Sequence, residues 1–277
     1  MRRAMLFMVL SMAMVGISAA IPSPVAYFAF DPAGDHIQDS VSGKSFALPS
    51  SALLLPGGAY GSYLSLRRTD DSFLLLGKSY GFPDDFSISF WMKTAPGYKD
   101  TGTMIMGRHL AGWTNGYWFM INAEWGYGAP DKLTFYYSNA TVISKTSVND
   151  GRWHHVGLVL KKKEGASLFI DGSLEAKGPP TPMIVPDAEF ILGGIQWNPP
   201  KGSFAGGIDE LSIFDKALED ADMAQIARAP NWFIAQKAEA GVPNSVAPGG
   251  TLMKITLKNG QVINLPLAEV MNIEFKD

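Results

Sequence analysis

The amino-acid sequence predicts an all-β protein, an antiparallel sandwich or barrel, on three observations. Short runs of alternating apolar and polar residues recur about every ten residues from Val25 to Phe214. Clusters of Gly, Pro, Asn and Asp separate those runs, as turns between strands require. A complete hairpin can be read from Asn149 to Gly172, NDGRWHHVGLVLKKKEGASLFIDG. An Asp150-Gly151 turn opens it, a lysine-rich turn from Lys161 to Gly165 reverses it, and Asp171-Gly172 closes it. Side chains alternate along a strand, so His154, Val156, Leu158 and Leu160 share one face, and Leu168 and Ile170 share one on the return arm. That pattern describes a hairpin with one buried face, with His155 on the other.

Taken in order, the chain starts with a segment outside the fold. Arg2 and Arg3 precede an apolar run from Ala4 to Gly16, and Ser18-Ala19-Ala20 supplies small residues for cleavage. Residues 1–20 therefore read as a secretory signal peptide, too short to span a bilayer comfortably. Residues 21–230 are the sandwich. Val25 to Asp31 opens it; Phe86, Ile88, Phe90 and Met92 line one face of the next clear strand. Gly116 to Asn122 and Lys132 to Ser138 follow, joined by a loop, and then Thr141 to Lys145. Phe190 to Leu192 and Gly207 to Phe214 come after the central hairpin.

One short C-terminal helix is expected over Leu218 to Arg228. Leu218, Met223, Ile226 and Ala227 fall on one face, Glu219, Asp220 and Asp222 crowd the first turn, and Pro230 ends it. Residues 231–250 are rich in Ala, Gly and Pro and read as a linker with room for a short helix at its start. Residues 251–277 form a small β-hairpin tail around Asn259-Gly260. A two-residue loop would pair Ile255 with Asn264. A three-residue loop pairs Ile255 with Ile263 and Met253 with Leu265, and this apolar match selects the register. Val270 to Phe275 is a candidate third strand. So short a tail cannot fold alone.

Composition narrows the function. The chain has no cysteine, which excludes disulfides, thiolate metal sites, cysteine nucleophiles and a lipoprotein anchor. An exported, cysteine-free chain fits a bacterial protein that is secreted, periplasmic or on the cell surface. Loss of Arg2 and Arg3 with the signal would take the net charge from −3 to −5, against nucleic acid or an anionic membrane as partner. No second apolar run predicts membrane insertion after cleavage.

Four motifs carry a resemblance. The Asp-Gly-x-Trp-His-His-Val run from Asp150 to Val156 and the closing Asp171-Gly172 resemble the laminin-G-like, concanavalin A-like jelly-roll family. So do Gly206 to Leu218, the opening strand Val25 to Asp31, and Asp39 to Gly43. The resemblance covers about Val25 to Arg228 and implies a two-sheet antiparallel jelly roll that binds a glycan or a cell-surface protein. It also implies a structural Ca²⁺ held by Asp31, Asp39 and Asp209, with backbone carbonyls completing the shell.

Fold alone does not choose between lectin and hydrolase. Retaining hydrolases need two carboxyl groups about 5 Å apart. No Glu-x-Asp-x-x-Glu motif is present, and strand alternation puts Asp209 and Glu210 on opposite faces. His154 and His155 likewise diverge, with His154 expected to bond backbone. The candidate ligand-binding residues are the loop aromatics and their polar neighbours: Trp113, Asn115, Trp125, Tyr127, Asp131, Trp197 and Asn198. Indole rings stack on the C–H faces of sugars while Asn and Asp bond hydroxyls. Trp91, Trp118, Trp153 and Trp232 read as packing. The leading expectation is a non-catalytic exported binding module for adhesion or polysaccharide capture. A divergent glycoside hydrolase or polysaccharide lyase, and a structural cell-surface assembly protein, are the alternatives.

Overall fold

A computed structural model describes residues 20–31, 34–80, 84–100, 102–109, 116–123, 128–181, 187–195, 200–239, 252–256 and 262–266. The proposed signal segment and the candidate third strand of the tail lie outside these residues. In chain order the strands are β1 Ala26–Phe28, β2 His36–Gln38, β3 Ser45–Ala47, β4 Leu53–Pro56, β5 Ser62–Arg67, β6 Leu74–Leu75 and β7 Phe86–Lys93. Next come β8 Thr103–His109, β9 Gly116–Ile121, β10 Lys132–Tyr137, β11 Ala140–Ser147, β12 His154–Lys161, β13 Gly165–Ile170 and β14 Ser173–Lys177. The series ends with β15 Ile191–Leu192, β16 Gly194–Ile195, β17 Lys201–Gly202, β18 Ala205–Phe214, β19 Leu252–Thr256 and β20 Val262–Pro266.

Two antiparallel sheets make the sandwich. One has eight strands, in the order β14-β13-β12-β7-β18-β5-β4 with β1 also on β18. The other has six, in the order β11-β10-β9-β8-β15-β6. The core lies between them. Ile88, Phe90 and Met92 from β7 meet Phe119 and Phe135 from the six-stranded sheet, and all are buried. Fully burying each such side chain contributes about 1.5–3 kcal/mol. That core carries the stability that disulfides supply in many secreted domains.

The central hairpin forms in the register its apolar face demands: Val156 pairs with Ile170, Leu158 with Leu168 and Leu160 with Ala166. A second apolar cluster covers the outer face of the eight-stranded sheet, where Tyr27, Val159 and Phe214 meet the C-terminal helices. The expected helix is α1, Asp220–Arg228, where the Asp222 carboxylate accepts the Glu219 N–H at 3.0 Å. The short helix allowed for at the start of the linker forms as α2, Trp232–Glu239. Its reason is burial: the Trp232 ring stacks on Phe214 at 5.8 Å and Phe233 packs on Tyr27 at 4.6 Å. The chain divides into two compact units after Gln236.

The remaining unit, Lys237–Asp277, contains β19 and β20. They pair Met253 with Leu265 and Ile255 with Ile263, the register of a three-residue loop. No helix among the described residues is long and apolar enough to cross a membrane.

Candidate functional site

Six of the sequence-predicted binding residues, Trp113, Asn115, Trp125, Tyr127, Trp197 and Asn198, lie outside the described residues. The described residues from which their loops depart border one outward face of β9 and β10, but from both ends of β9: His109 pairs with Gly116 at its start, and Ala123 follows its end. The loop holding Trp113 and Asn115 follows His109, whose ring packs on Trp118 at 4.9 Å. The loop holding Trp125 and Tyr127 follows Ala123, which shares a buried cluster with Met104, Trp118, Met120 and Tyr136. The loop holding Trp197 and Asn198 follows Ile195, which packs against the same cluster. Alternation explains the gathering: Trp118 and Met120 on β9 and Tyr136 on β10 point away from the core, while Tyr117, Phe119 and Phe135 point in. Trp118 and Tyr136 stack with centroids 4.1 Å apart.

Asp131, the seventh, is a structural tie. Its backbone adopts a left-handed φ of 63°, its N–H donates to Asn122 Oδ1 at 2.7 Å, and its Oδ1 accepts from Asn149 at 2.5 Å.

The proposed calcium acids divide in two. Asp39 is fully buried and holds its own turn, accepting from the Tyr27 and Val41 amides and the Ser42 and Tyr80 hydroxyls. Asp31 and Asp209 grip one loop, 57–62. Asp31 Oδ1 accepts the Ser62 N–H at 2.6 Å and Asp209 Oδ2 accepts the Tyr60 N–H at 3.1 Å. Gly61 lies against Asp31 with φ +64°, so a Cβ there would overlap that carboxylate. Burial pushes Asp209 up to about 8; the Tyr60 amide opposes this and the Asp31 charge adds to it. An all-oxygen set of two carboxylates beside loop carbonyls suits a hard cation such as Ca²⁺, which would relieve that repulsion. Among the described residues no group of three or more His, Cys, Asp or Glu could hold a metal, so carbonyls would have to contribute.

Glu210 corrects the expected alternation. The ladder slips between Asp209 and Ser212, while Ile208 and Leu211 both face the core. A β-bulge therefore sends two consecutive residues to the outer face, with Glu210 at φ 51°. Its carboxylate accepts the Tyr27 hydroxyl proton and its Oε1 has no partner, although the residue is 2% exposed. Burial first, then the Asp209 charge, raises Glu210 well above the usual carboxylate range. Tyr27→Phe should cost about 1.5 kcal/mol by leaving that buried carboxyl unpaired, measured by denaturant unfolding; an unchanged midpoint would contradict it.

The paired histidines also differ. His154 bonds two carboxylates rather than backbone: Nδ1 is 2.9 Å from Asp171 Oδ2 and Nε2 is 3.1 Å from Asp150 Oδ1. The two Asp-Gly turns of the hairpin thus clamp one imidazole, which raises its pKa, first through Asp171. His155, on the outer face, lies edge-on to Trp91 and within hydrogen-bond distance of Ser89 Oγ, at 2.8 Å from Nε2, and among the described residues its Nδ1 has no hydrogen-bond partner. Burial depresses it to about 4.

Trp118 and Trp232 are buried, as packing residues should be, but Trp91 and Trp153 are only half-buried. Trp153 lies edge-on to Tyr63 at 5.2 Å and donates its Nε1–H to Gly57 O at 3.1 Å, on the loop that Asp31 and Asp209 grip. Alternation from the outward His155 was the signal for it.

The two packed antiparallel sheets make the fold a jelly roll. A laminin-G-type family model of the concanavalin A-like lectin/glucanases superfamily matches residues 67–224, more than half the chain, and the protein belongs to that superfamily. No curated protein sequence matches it. Among solved structures it is similar to domain 4 of an extracellular GH43 arabinanase from Geobacillus stearothermophilus, in complex with arabinotriose. That match has 20% identity and a TM-score of 0.57 and covers 74% of this chain and 98% of that one. It is similar to the binding domain of Paraclostridial mosquitocidal protein 1, with 13% identity and a TM-score of 0.59 over 87% of this chain and 63% of that one. The binding domain of botulinum neurotoxin DC, in complex with SialylT, matches at 14% identity and a TM-score of 0.55, over 75% and 52%. The chain thus spans less than two thirds of either toxin domain.

Proposed function

We propose that the protein is an exported, non-catalytic module that binds a glycan through the loops bearing Trp113, Asn115, Trp125, Tyr127, Trp197 and Asn198. The observation that carries this is one aromatic face, Trp118 stacked on Tyr136, bordered by the three loop roots: Ala123 and Ile195 toward one end of β9 and His109 at the other. Loops bordering one aromatic face can present several rings to an extended saccharide. The arabinotriose complex of the similar arabinanase domain supports a sugar, and the similar toxin binding domains support a receptor glycan. A non-catalytic role is supported by the state of the acid pair: Asp209 and Glu210 are 0% and 2% exposed, out of a substrate's reach.

Calcium belongs to the same reading. Asp31 and Asp209 would hold it together with carbonyls of the loop 57–62, where it would neutralise two facing carboxylates and order the loop. The amino-terminal signal pattern supports export from the cytoplasm.

The test is binding to a broad glycan and polysaccharide array with calcium present. Reproducible binding to one sugar class is expected; a blank array would overturn the glycan reading in favour of a protein partner. Trp125→Ala and Trp197→Ala should each weaken that binding while changing stability by less than about 1 kcal/mol. A large loss of stability in both variants would show that these rings are core and sink the site.

A further inference from the structure

The outer face of the eight-stranded sheet holds a second arrangement, remote in sequence from those loops. Tyr63, Ser65 and Arg67 alternate with the buried Leu64 and Leu66, so they face outward. Gly207 pairs with Ser65 on one side and Lys93 on the other. Because Gly207 has no side chain, the Tyr63 and Trp153 rings meet above it. A Cβ there would come within 2.7 Å of Trp153 Cη2 and 2.8 Å of Tyr63 Cδ2. Lys93 Nζ lies over both rings, 5.1 Å from the centre of Trp153 and 5.5 Å from that of Tyr63. The Trp153 bond to Gly57 O fixes the indole. Tyr63, Ser65, Lys93 and Trp153 are half-buried and Arg67 is exposed.

We propose that this face binds an acidic carbohydrate, whose carboxylate pairs with Lys93 and whose ring lies against Trp153 and Tyr63. The charge argument is local. The chain is net negative, yet the ionisable group held against these rings is the cation Lys93, with Arg67 exposed further along β5, while the carboxylates of Asp31 and Asp209 accept the Ser62 and Tyr60 amides of the neighbouring loop. Among the described residues Lys93 rests on aromatic rings and has no carboxylate partner. A cation held by ring faces stays partly desolvated, ready for an anion. The shape argument favours a sugar over a peptide. Extended peptides add to an open sheet edge, and helical ones fill a groove. Here β18 is paired on both sides by β5 and β7, so the face offers rings, a lysine and the Ser65 hydroxyl, but no unpaired backbone. A pyranose acid presents a C–H face for the rings and a carboxylate at its rim.

This site shares the ligand class of the loop reading but none of its residues, so the two can fail separately. The experiment is titration calorimetry of the intact chain with polygalacturonate, its fully methyl-esterified form, linear arabinan and polyglutamate. Polygalacturonate should bind, and the neutral ester about tenfold or more weakly, the scale of one charged contact. Lys93→Gln should lose the same factor, Trp153→Phe should weaken both, and Lys162→Gln, an exposed lysine on the β12–β13 turn, should leave polygalacturonate binding unchanged. Equal affinity for acid and ester, indifference to Lys93→Gln, polyglutamate binding as tight as polygalacturonate, or no polygalacturonate binding would each overturn the proposal. Arabinan binding lost in Trp125→Ala, with polygalacturonate silent, would overturn this site and leave the loop reading standing.

Discussion

His155→Gln is expected to flatten the acid limb of the stability curve. His155 is fully buried in the fold and its pKa falls from 6.5 to about 4, chiefly through burial, with only the Asp171 charge opposing. The sign follows from linkage. A depressed histidine stabilises the fold above its unfolded pKa, because the folded chain refuses a proton that the unfolded chain takes up as pH falls. Stability contributed by His155 is therefore complete above about pH 6.5 and is lost progressively toward pH 4. A depression of that size corresponds to about 3 kcal/mol over the window. Glutamine keeps a hydrogen-bonding group near Ser89 but cannot titrate. Denaturant unfolding from pH 4 to 8 reads the difference: the parent should lose that increment and the variant most of it not. His154 provides the opposite sign. Its raised pKa contributes stability that is present below 6.5 and is lost as pH rises through the folded value, so His154→Gln should cost more at pH 6 than at pH 8. Parallel acid limbs for the parent and His155→Gln would sink this account.

Calcium is expected to raise the melting temperature, and the response should map onto two of the three acids. At a hundredfold excess over Kd, a ligand bound only by the folded state adds about 2.7 kcal/mol, or roughly 5–10 °C for a domain of this size. Asp209→Asn should abolish that shift by removing a charged ligand. Gly61→Ala should abolish it by another route, since its φ of +64° disfavours any Cβ and the Cβ would displace Asp31. Asp39→Asn should lower stability in the absence of metal, because four hydrogen bonds converge on that carboxylate, yet keep the calcium shift. Differential scanning fluorimetry with calcium and with chelator separates these outcomes. No shift in the parent chain would remove calcium from the proposal.

These expectations show which parts of the molecule can be read locally. Strand alternation is a rule between neighbours, so the faces of Phe86 to Met92 and of the Trp153 to Ile170 hairpin were legible without coordinates. Hairpin register in the tail was legible for the same reason: only a three-residue loop aligns Ile255 with Ile263. The rule fails where a strand adds a residue. The bulge at Glu210 depends on how β18 meets β7, and it turns an acid pair expected to diverge into one outer-face cluster. The second helix was faint for a similar reason. Trp232 and Phe233 sit in an Ala- and Pro-rich stretch, and what makes them helical is the Tyr27 and Phe214 surface waiting more than a strand away.

Candidate chemistry divides along the same line. Residue type in a loop was enough to nominate Trp125 and Trp197 and to exclude cysteine chemistry. Asp131 shows the limit, because its carboxylate is committed to Asn149, distant in sequence. The grouping of Asp31 with Asp209, the separation of Asp39 from them, and the meeting of Tyr63, Lys93 and Trp153 over Gly207 all join residues far apart along the chain. By itself, then, the sequence determined the fold class, the strand faces and the residue types available for binding, since each follows from local periodicity and side-chain chemistry. The tertiary structure alone decided which of those side chains meet, which carboxyls lose water, and which rings stay exposed, since each depends on sheet order and on the bulge that interrupts it.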